Sequence, residues 1–284
     1  MQQEKVEYTY RFRLYPTPEQ EIKLAKHFGC VRWVYNYFLD RRVKFYLDAK
    51  EKDLANKSLN YNDDAKALTG IKEETEWLNE VNSQSLQHAL KHLDSGFNRF
   101  YKKLARFPKF KSRKHKQSFR VPQHVSVEDG KLYIVKFREG IEINLHRPIE
   151  GEIRNATISR NKAGQYFVSI GVQRHIEKLP KNKNAVGIDL GVKDLATCSD
   201  GTVFKNIRPY RTLEKKRRVL AKALSRTQKG SKGREKARRK LARLDNHIRN
   251  IRQDHLHKVS HRIVSENQTI VMEDLNVSGM MKNR

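Results

Sequence analysis

Cysteine is almost missing from this chain. Cys30 and Cys198 are the only two among 284 residues, which excludes a disulfide framework and an all-cysteine zinc site and fits a reducing compartment. Apolar runs are short as well. None approaches the roughly 20 residues that cross a bilayer, so the chain reads as soluble. The opening residues MQQEKVEYTY hold neither an apolar signal core nor an acid-free transit segment, and a cytoplasmic location is expected. No Walker phosphate loop, GxSxG elbow or HExxH pair occurs, so none of these motifs competes for the role of active site. Acidic residues are scarce beside basic ones, 32 against 60, which leaves a formal net charge of +28.

An excess of that size points to a polyanionic partner. A disordered basic tail would also produce it, but 12 Phe, 11 Tyr and regular apolar spacing argue for folded domains. The charge is also localised. Residues 201–260 hold 20 Lys and Arg against 4 Asp and Glu, and residues 101–120 hold 9 against none. A solvated helical face normally mixes both signs to avoid self-repulsion. These windows instead have the composition of surfaces that neutralise phosphates and release counterions. The candidate contacts are Lys109, Lys111, Arg113 and Lys114 in the first window, and Lys215, Lys216, Arg217, Arg218, Arg249 and Arg252 in the second. A membrane surface is the other polyanion to weigh, but the basic helices lack the Trp and Phe enrichment of an interfacial helix.

The pattern divides the chain into an α+β multidomain protein. Val6, Tyr8, Tyr10, Phe12 and Leu14 alternate with polar residues, which predicts a half-buried strand. Thr17-Pro18-Glu19-Gln20 then opens a helix, with an N-cap hydroxyl, proline at the first position and Gln three residues on. Its predicted apolar face is Leu24, Phe28, Val31, Tyr35 and Phe38, and Lys50–Asp64 reads as a connection. A second helix places Leu86, Leu90, Leu93, Phe97, Phe100 and Leu104 on one face. Between Phe119 and Val172 the period changes to that of strands, with turns at Asp129-Gly130 and Asn161–Gly164. The first strand needs partners, and these later strands would supply them, which makes the helices an insertion into a β-barrel. After a polar linker around residues 175–184, a β-meander turns at Asp200-Gly201. Gly230 and Gly233 then divide a helical hairpin with an apolar seam through Leu241, Leu244, Ile248, Ile251, Leu256, Val259 and Ile263. A short buried-type strand, Thr269–Met272, ends in Glu273-Asp274.

Carboxylates at strand ends stand out in so basic a chain. Asp189 ends the strand in Gly187-Ile188-Asp189-Leu190-Gly191, and Glu273 ends the strand from Thr269. If those strands are neighbours, both groups converge at one end of a sheet. Two or three such carboxylates can hold Mg2+ or Mn2+ ions that activate water for phosphodiester hydrolysis. On spacing alone, ordinary polar strand caps explain them equally well. His257 and His261 lie four apart on a helix with His255 nearby, and phosphate contacts or packing suit them better than a metal. Asn36, Ser83, Gln84 and Gln87 are polar residues beside apolar seams, suited to groove contacts or simply exposed.

Six segments, Thr9–Gln20, Phe28–Leu39, Asn82–Phe100, Val186–Gly201, Arg249–Ser260 and Val271–Gly279, together resemble in order the TnpB/OrfB proteins of insertion sequences. The resemblance implies a transposon-associated, RNA-guided DNA endonuclease with guide RNA and double-stranded target DNA as partners. It implies a wedge-type β-barrel (1–14 and 112–180), an inserted helical recognition domain (15–111) and a RuvC-like nuclease domain of RNase H fold (181–284). Asp189 and Glu273 match its first catalytic aspartate and its catalytic glutamate, which would bind Mg2+ or Mn2+. The family continues past this motif into a zinc ribbon of CxxC pairs and a third aspartate. The expectation here is therefore a nuclease incomplete at its C-terminus, with no zinc site and impaired cleavage. The alternative is an RNA-guided DNA-binding or regulatory protein that does not cut. The oligomeric state is left open, with a monomer expected, associated with the nucleoid when bound to DNA.

Overall fold

The computed structural model describes residues 3–52, 58–114, 116–177, 182–275 and 279. They form two compact units, one up to Glu177 and the other after it.

The first unit opens with β1 (Gln3–Tyr15), whose alternation buries Tyr10, Phe12 and Leu14 on one face. Helix α1 (Pro18–Glu51) follows, and Thr17 caps it as its sequence predicts. Gln20 N–H donates to Thr17 Oγ1 at 3.3 Å, and Thr17 N–H donates back to Gln20 Oε1 at 3.1 Å. Gln20 Nε2 also donates to the Gly140 carbonyl at 2.8 Å, which ties the helix start to the sheet. The five residues expected on its apolar face are all buried.

Helix α2 (Tyr61–Glu74), a 3-10 turn (Glu76–Glu80) and α3 (Ser83–Tyr101) complete the helical part. The connection expected over Lys50–Asp64 is shorter than that, because Asn60 caps α2 by accepting from the amides of Asn62 and Asp63. Residues 53–57 lie outside the described residues. Asp64 is fully buried and bridges Arg41 at 2.7 Å and Arg42 at 2.6 Å, and Arg42 reaches on to Asp94 at 3.1 Å. This network joins α1, α2 and α3. Leu104 leaves the predicted face of α3 and is exposed. The helix has already ended, since Lys103 takes a left-handed φ of 57° and turns the chain away.

Six strands follow: β2 (Gln117–Val121), β3 (Ser126–Glu128), β4 (Lys131–Ile134), β5 (Phe137–Asn144), β6 (Glu152–Arg160) and β7 (Tyr166–Glu177). With β1 they form one sheet in the order β2-β6-β7-β1-β5-β4-β3. The first strand finds its partners where the sequence predicts, antiparallel to β7 from Gln3–Glu177 to Leu14–Tyr166 and to β5 from Arg13 to Tyr15. Closure into a barrel is not seen. Strand β3 has three residues, all paired with β4, and no ladder joins it to β2 among the described residues.

The second unit holds β8 (Ala185–Asp189), β9 (Asp194–Cys198), β10 (Val203–Lys205), α4 (Pro209–Ser225), α5 (Lys232–Glu266) and β11 (Thr269–Met272). Its sheet runs β10-β9-β8-β11, a meander with β11 added parallel to β8. Val186, Ile188, Ala196 and Cys198 form a small core, with Phe204 and Ile263 packed on it. The helical hairpin turns at Gly230, whose φ is 86°. Gly233, expected at the divide, instead sits in the first turn of α5 behind the Ser231 cap. Among the described residues no helix is long and apolar enough to cross a membrane.

Candidate active site and nucleic-acid interface

Strand β8 alternates so that Val186 and Ile188 face the core and Gly187 and Asp189 the other side. The parallel register pairs Thr269 with Ala185 and Met272 with Ile188. Glu273 is the residue that follows this paired stretch on β11, as Asp189 follows it on β8. Asp189 and Glu273 therefore each lie at the C-terminal end of two adjacent strands, and both are exposed. On the other flank Asp189 pairs with Thr197 of β9.

Two residues that carry no sequence signal hold this arrangement. Ser199 Oγ accepts from Gly187 N–H at 3.0 Å, and Ser199 N–H donates to the Gly187 carbonyl at 2.9 Å. Asn184 bridges the end of α5 and the start of β11. Among the described residues no three His, Cys, Asp or Glu side chains gather into a group that could hold a metal ion. Two hard oxygen donors suit one Mg2+ or Mn2+, which usually keeps several waters and takes phosphate oxygens to complete its shell. On α5, Asp254 pairs with Lys258 at 2.8 Å, and His255 Nε2 meets the Lys205 carbonyl at 2.9 Å.

The hairpin carries the larger basic window, and not all of its cations are free. Arg217 Nε donates to Asp245 across the hairpin at 2.7 Å, and Arg218 reaches Glu214 at 3.0 Å. Arg249 donates to Asn246. Lys215, Lys216 and Arg252 are exposed. The seam of α5 buries Leu244, Ile248 and Val259 and leaves Leu256 exposed, and α4 buries none of its residues.

In the first unit, Lys109, Arg113 and Lys114 are exposed. Gln84 Nε2 donates to Gln123 at 3.0 Å, and Gln87 lines an open hollow beside Lys72 and Asn79. Asn36 has a positioning role. Its amide donates to the Lys111 carbonyl at 2.9 Å, and its oxygen accepts from Lys111 N–H at 2.7 Å. The clamp sets Lys111 Nζ over the Tyr35 ring, 3.7 Å from its centre, and 3.3 Å from His92 Nδ1. Burial lowers the Lys111 pKa to about 8. His88 is lowered to about 4 by burial and then by Arg120, His92, Lys91 and Lys111, and His92 is lowered by burial and by Lys111.

The sequence model of the IS605 OrfB proteins, described as "Probable transposase", matches residues 165–284. The model for the helix-turn-helix domain of the same proteins matches residues 1–50, where the structure has one strand followed by one uninterrupted helix. A protein of Streptomyces pristinaespiralis named "Putative RNA-guided DNA endonuclease" is 40% identical over 292 residues, covering 100% of this chain and 70% of the relative. A protein of Escherichia coli (strain K12) with the same description, InsQ, is 34% identical over 279 residues, covering 96% of this chain and 67% of the relative.

Proposed function

The chain belongs to the TnpB/OrfB family of IS605-type insertion sequences, and from that premise we propose that it is an RNA-guided DNA endonuclease acting on target DNA in the cytoplasm. Guide RNA and DNA lie on the exposed cations of the α4–α5 hairpin and of residues 101–120. Sequence is read chiefly by base pairing between guide and target.

The unit after Glu177 is the RuvC-like nuclease module, and the observation that supports this reading is the parallel pairing of β11 with β8, the two strands that lead into Glu273 and Asp189. Asp189 and Glu273 would hold Mg2+ or Mn2+, which supplies Lewis-acid activation of water and phosphate when bound. Without a bound cation the two carboxylates would repel the scissile phosphate, so their role is to hold the metal at that strand end. Gly187, with no side chain on the same face, leaves room for the backbone.

The test is cleavage of guide-matched DNA with Mg2+ or Mn2+, comparing the native chain with Asp189→Ala and Glu273→Gln. Cutting that disappears in both variants supports the nuclease. Guide-directed binding with no cutting at any metal concentration supports the non-cleaving regulator instead, and cutting that survives Asp189→Ala removes the assigned site.

A further inference from the structure

Lys111 differs from the other cations of its window. Its backbone is clamped on both sides by Asn36. Its ammonium rests on the Tyr35 ring and touches His92, so it is fixed in place before any ligand arrives. The groups that act on the cluster are neutral or basic: Tyr35 of α1 under the ammonium, His92 of α3 against it, and Arg120 of β2 and Lys91 of α3 acting on His88. Among the described residues none of Lys111, His88 and His92 has a carboxylate partner. Three bases crowd together without a counterion, and exposed His92 opens the cluster to solvent.

We propose that Lys111, His92 and His88 form a preformed seat for a phosphodiester of the bound nucleic acid, and that filling it takes up protons. This rests on the nucleic-acid-binding reading above and adds a site and a regulation to it. An anion placed at the ammonium would offset the desolvation that burial imposes on it. Lys111, held near 8 by burial when the seat is empty, then keeps its proton to higher pH. The sign follows from linkage. A group whose pKa rises on binding favours the complex while protonated, and that gain is lost as pH rises above the free pKa. Affinity should thus be flat near neutrality and fall on the alkaline side. Below neutrality His92 adds to it as it gains a proton.

The experiment uses the full chain and an oligodeoxynucleotide of adenine and cytosine only, whose bases do not titrate near the alkaline range tested. From about pH 7 to about pH 9, native binding should weaken by roughly five- to tenfold, and Lys111→Arg, charged throughout, should stay flat. In the native protein the 13C resonance of the Lys111 side chain should report a pKa raised by about one unit or more on adding the oligonucleotide, which needs no variant to fold. Normal binding with a parallel pH profile in Lys111→Arg and an unmoved Lys111 resonance overturns the seat alone. Absence of binding at every pH overturns both the seat and the reading beneath it. Inorganic phosphate that shifts Lys111 as far as the oligonucleotide does would make this a free-anion site and overturn the backbone assignment.

Discussion

The carboxamide of Asn184 donates to the Glu266 carbonyl at 2.9 Å, while the Asn184 carbonyl accepts from the amides of Gln268 and Thr269 at 3.0 and 3.1 Å. One residue at the mouth of β8 therefore links the end of α5 to the start of β11, where the parallel pairing of β11 with β8 begins. Asn184→Ala removes the side-chain half of this link. The expected cost is about 1 kcal/mol in the second unit. Hydrogen exchange at those amides of β11 that bond to β8 should quicken, and metal-dependent cutting should fall with it. Unchanged protection across β11 would show that the strand holds its place without Asn184.

The buried carboxylate of Asp64 joins three helices through Arg41 and Arg42. Asp64→Ala leaves the Arg42 guanidinium, itself buried, short of its partner. Breaking a buried pair from one side costs roughly 3–5 kcal/mol, so urea unfolding of the first unit should shift by that amount. Replacing Lys44, whose pair with Asp40 is exposed, should change it by no more than about 0.5 kcal/mol.

Acid should destabilise the first unit earlier than its carboxylates require. His27 is buried, with Nδ1 against the Lys23 carbonyl at 2.8 Å and Nε2 accepting from Asn82 N–H at 3.2 Å, so it is held neutral. Burial lowers its pKa, and His88 is lowered to about 4. Because the unfolded chain binds these protons first, stability is lost as pH falls below the ordinary histidine value of 6.5, and for His88 the loss continues down to about 4. Melting temperature should drop across that window, and the drop should be smaller in His88→Gln.

Salt should separate the cations of the hairpin. Neutralising Lys215 and Lys216 together should lower the slope of log affinity against log salt by about 0.7–0.9 for each phosphate that the two lysines neutralise. Arg217 faces Asp245, so Arg217→Ala should loosen the hairpin and change the slope less. Equal slopes for native protein and the double lysine variant would remove this face from the interface.

Local signals in the sequence carry far. The apolar steps of α1 and its Thr17–Gln20 box are contained within one helix, so spacing and capping alone fix which side of it is buried. The alternation of β1 likewise predicts its buried face and its need for distant partners. Legibility ends where geometry is tertiary. Lys103 stops α3 through a backbone turn that a lysine does not advertise, so Leu104 leaves the face its spacing assigns to it. Nothing near Arg217 in sequence announces Asp245, and nothing near Asn36 announces the Lys111 backbone that it clamps. The two carboxylates are visible as strand ends, but that their strands are neighbours depends on a parallel pairing, with Asn184 holding the start of β11 from within a polar linker.

The central place of β1 has a consequence for how the chain is made. Its last-made partner, Glu177, pairs with Gln3, so the ribosome delivers the helices long before the sheet can close around its first strand. At about 5–20 residues per second, β1 waits for many seconds with a Tyr- and Phe-rich face uncovered. During that wait the strand is a target for chaperones or for a neighbouring chain. Yield on expression should accordingly respond more to translation speed and to ribosome-associated chaperones than to changes in the second unit.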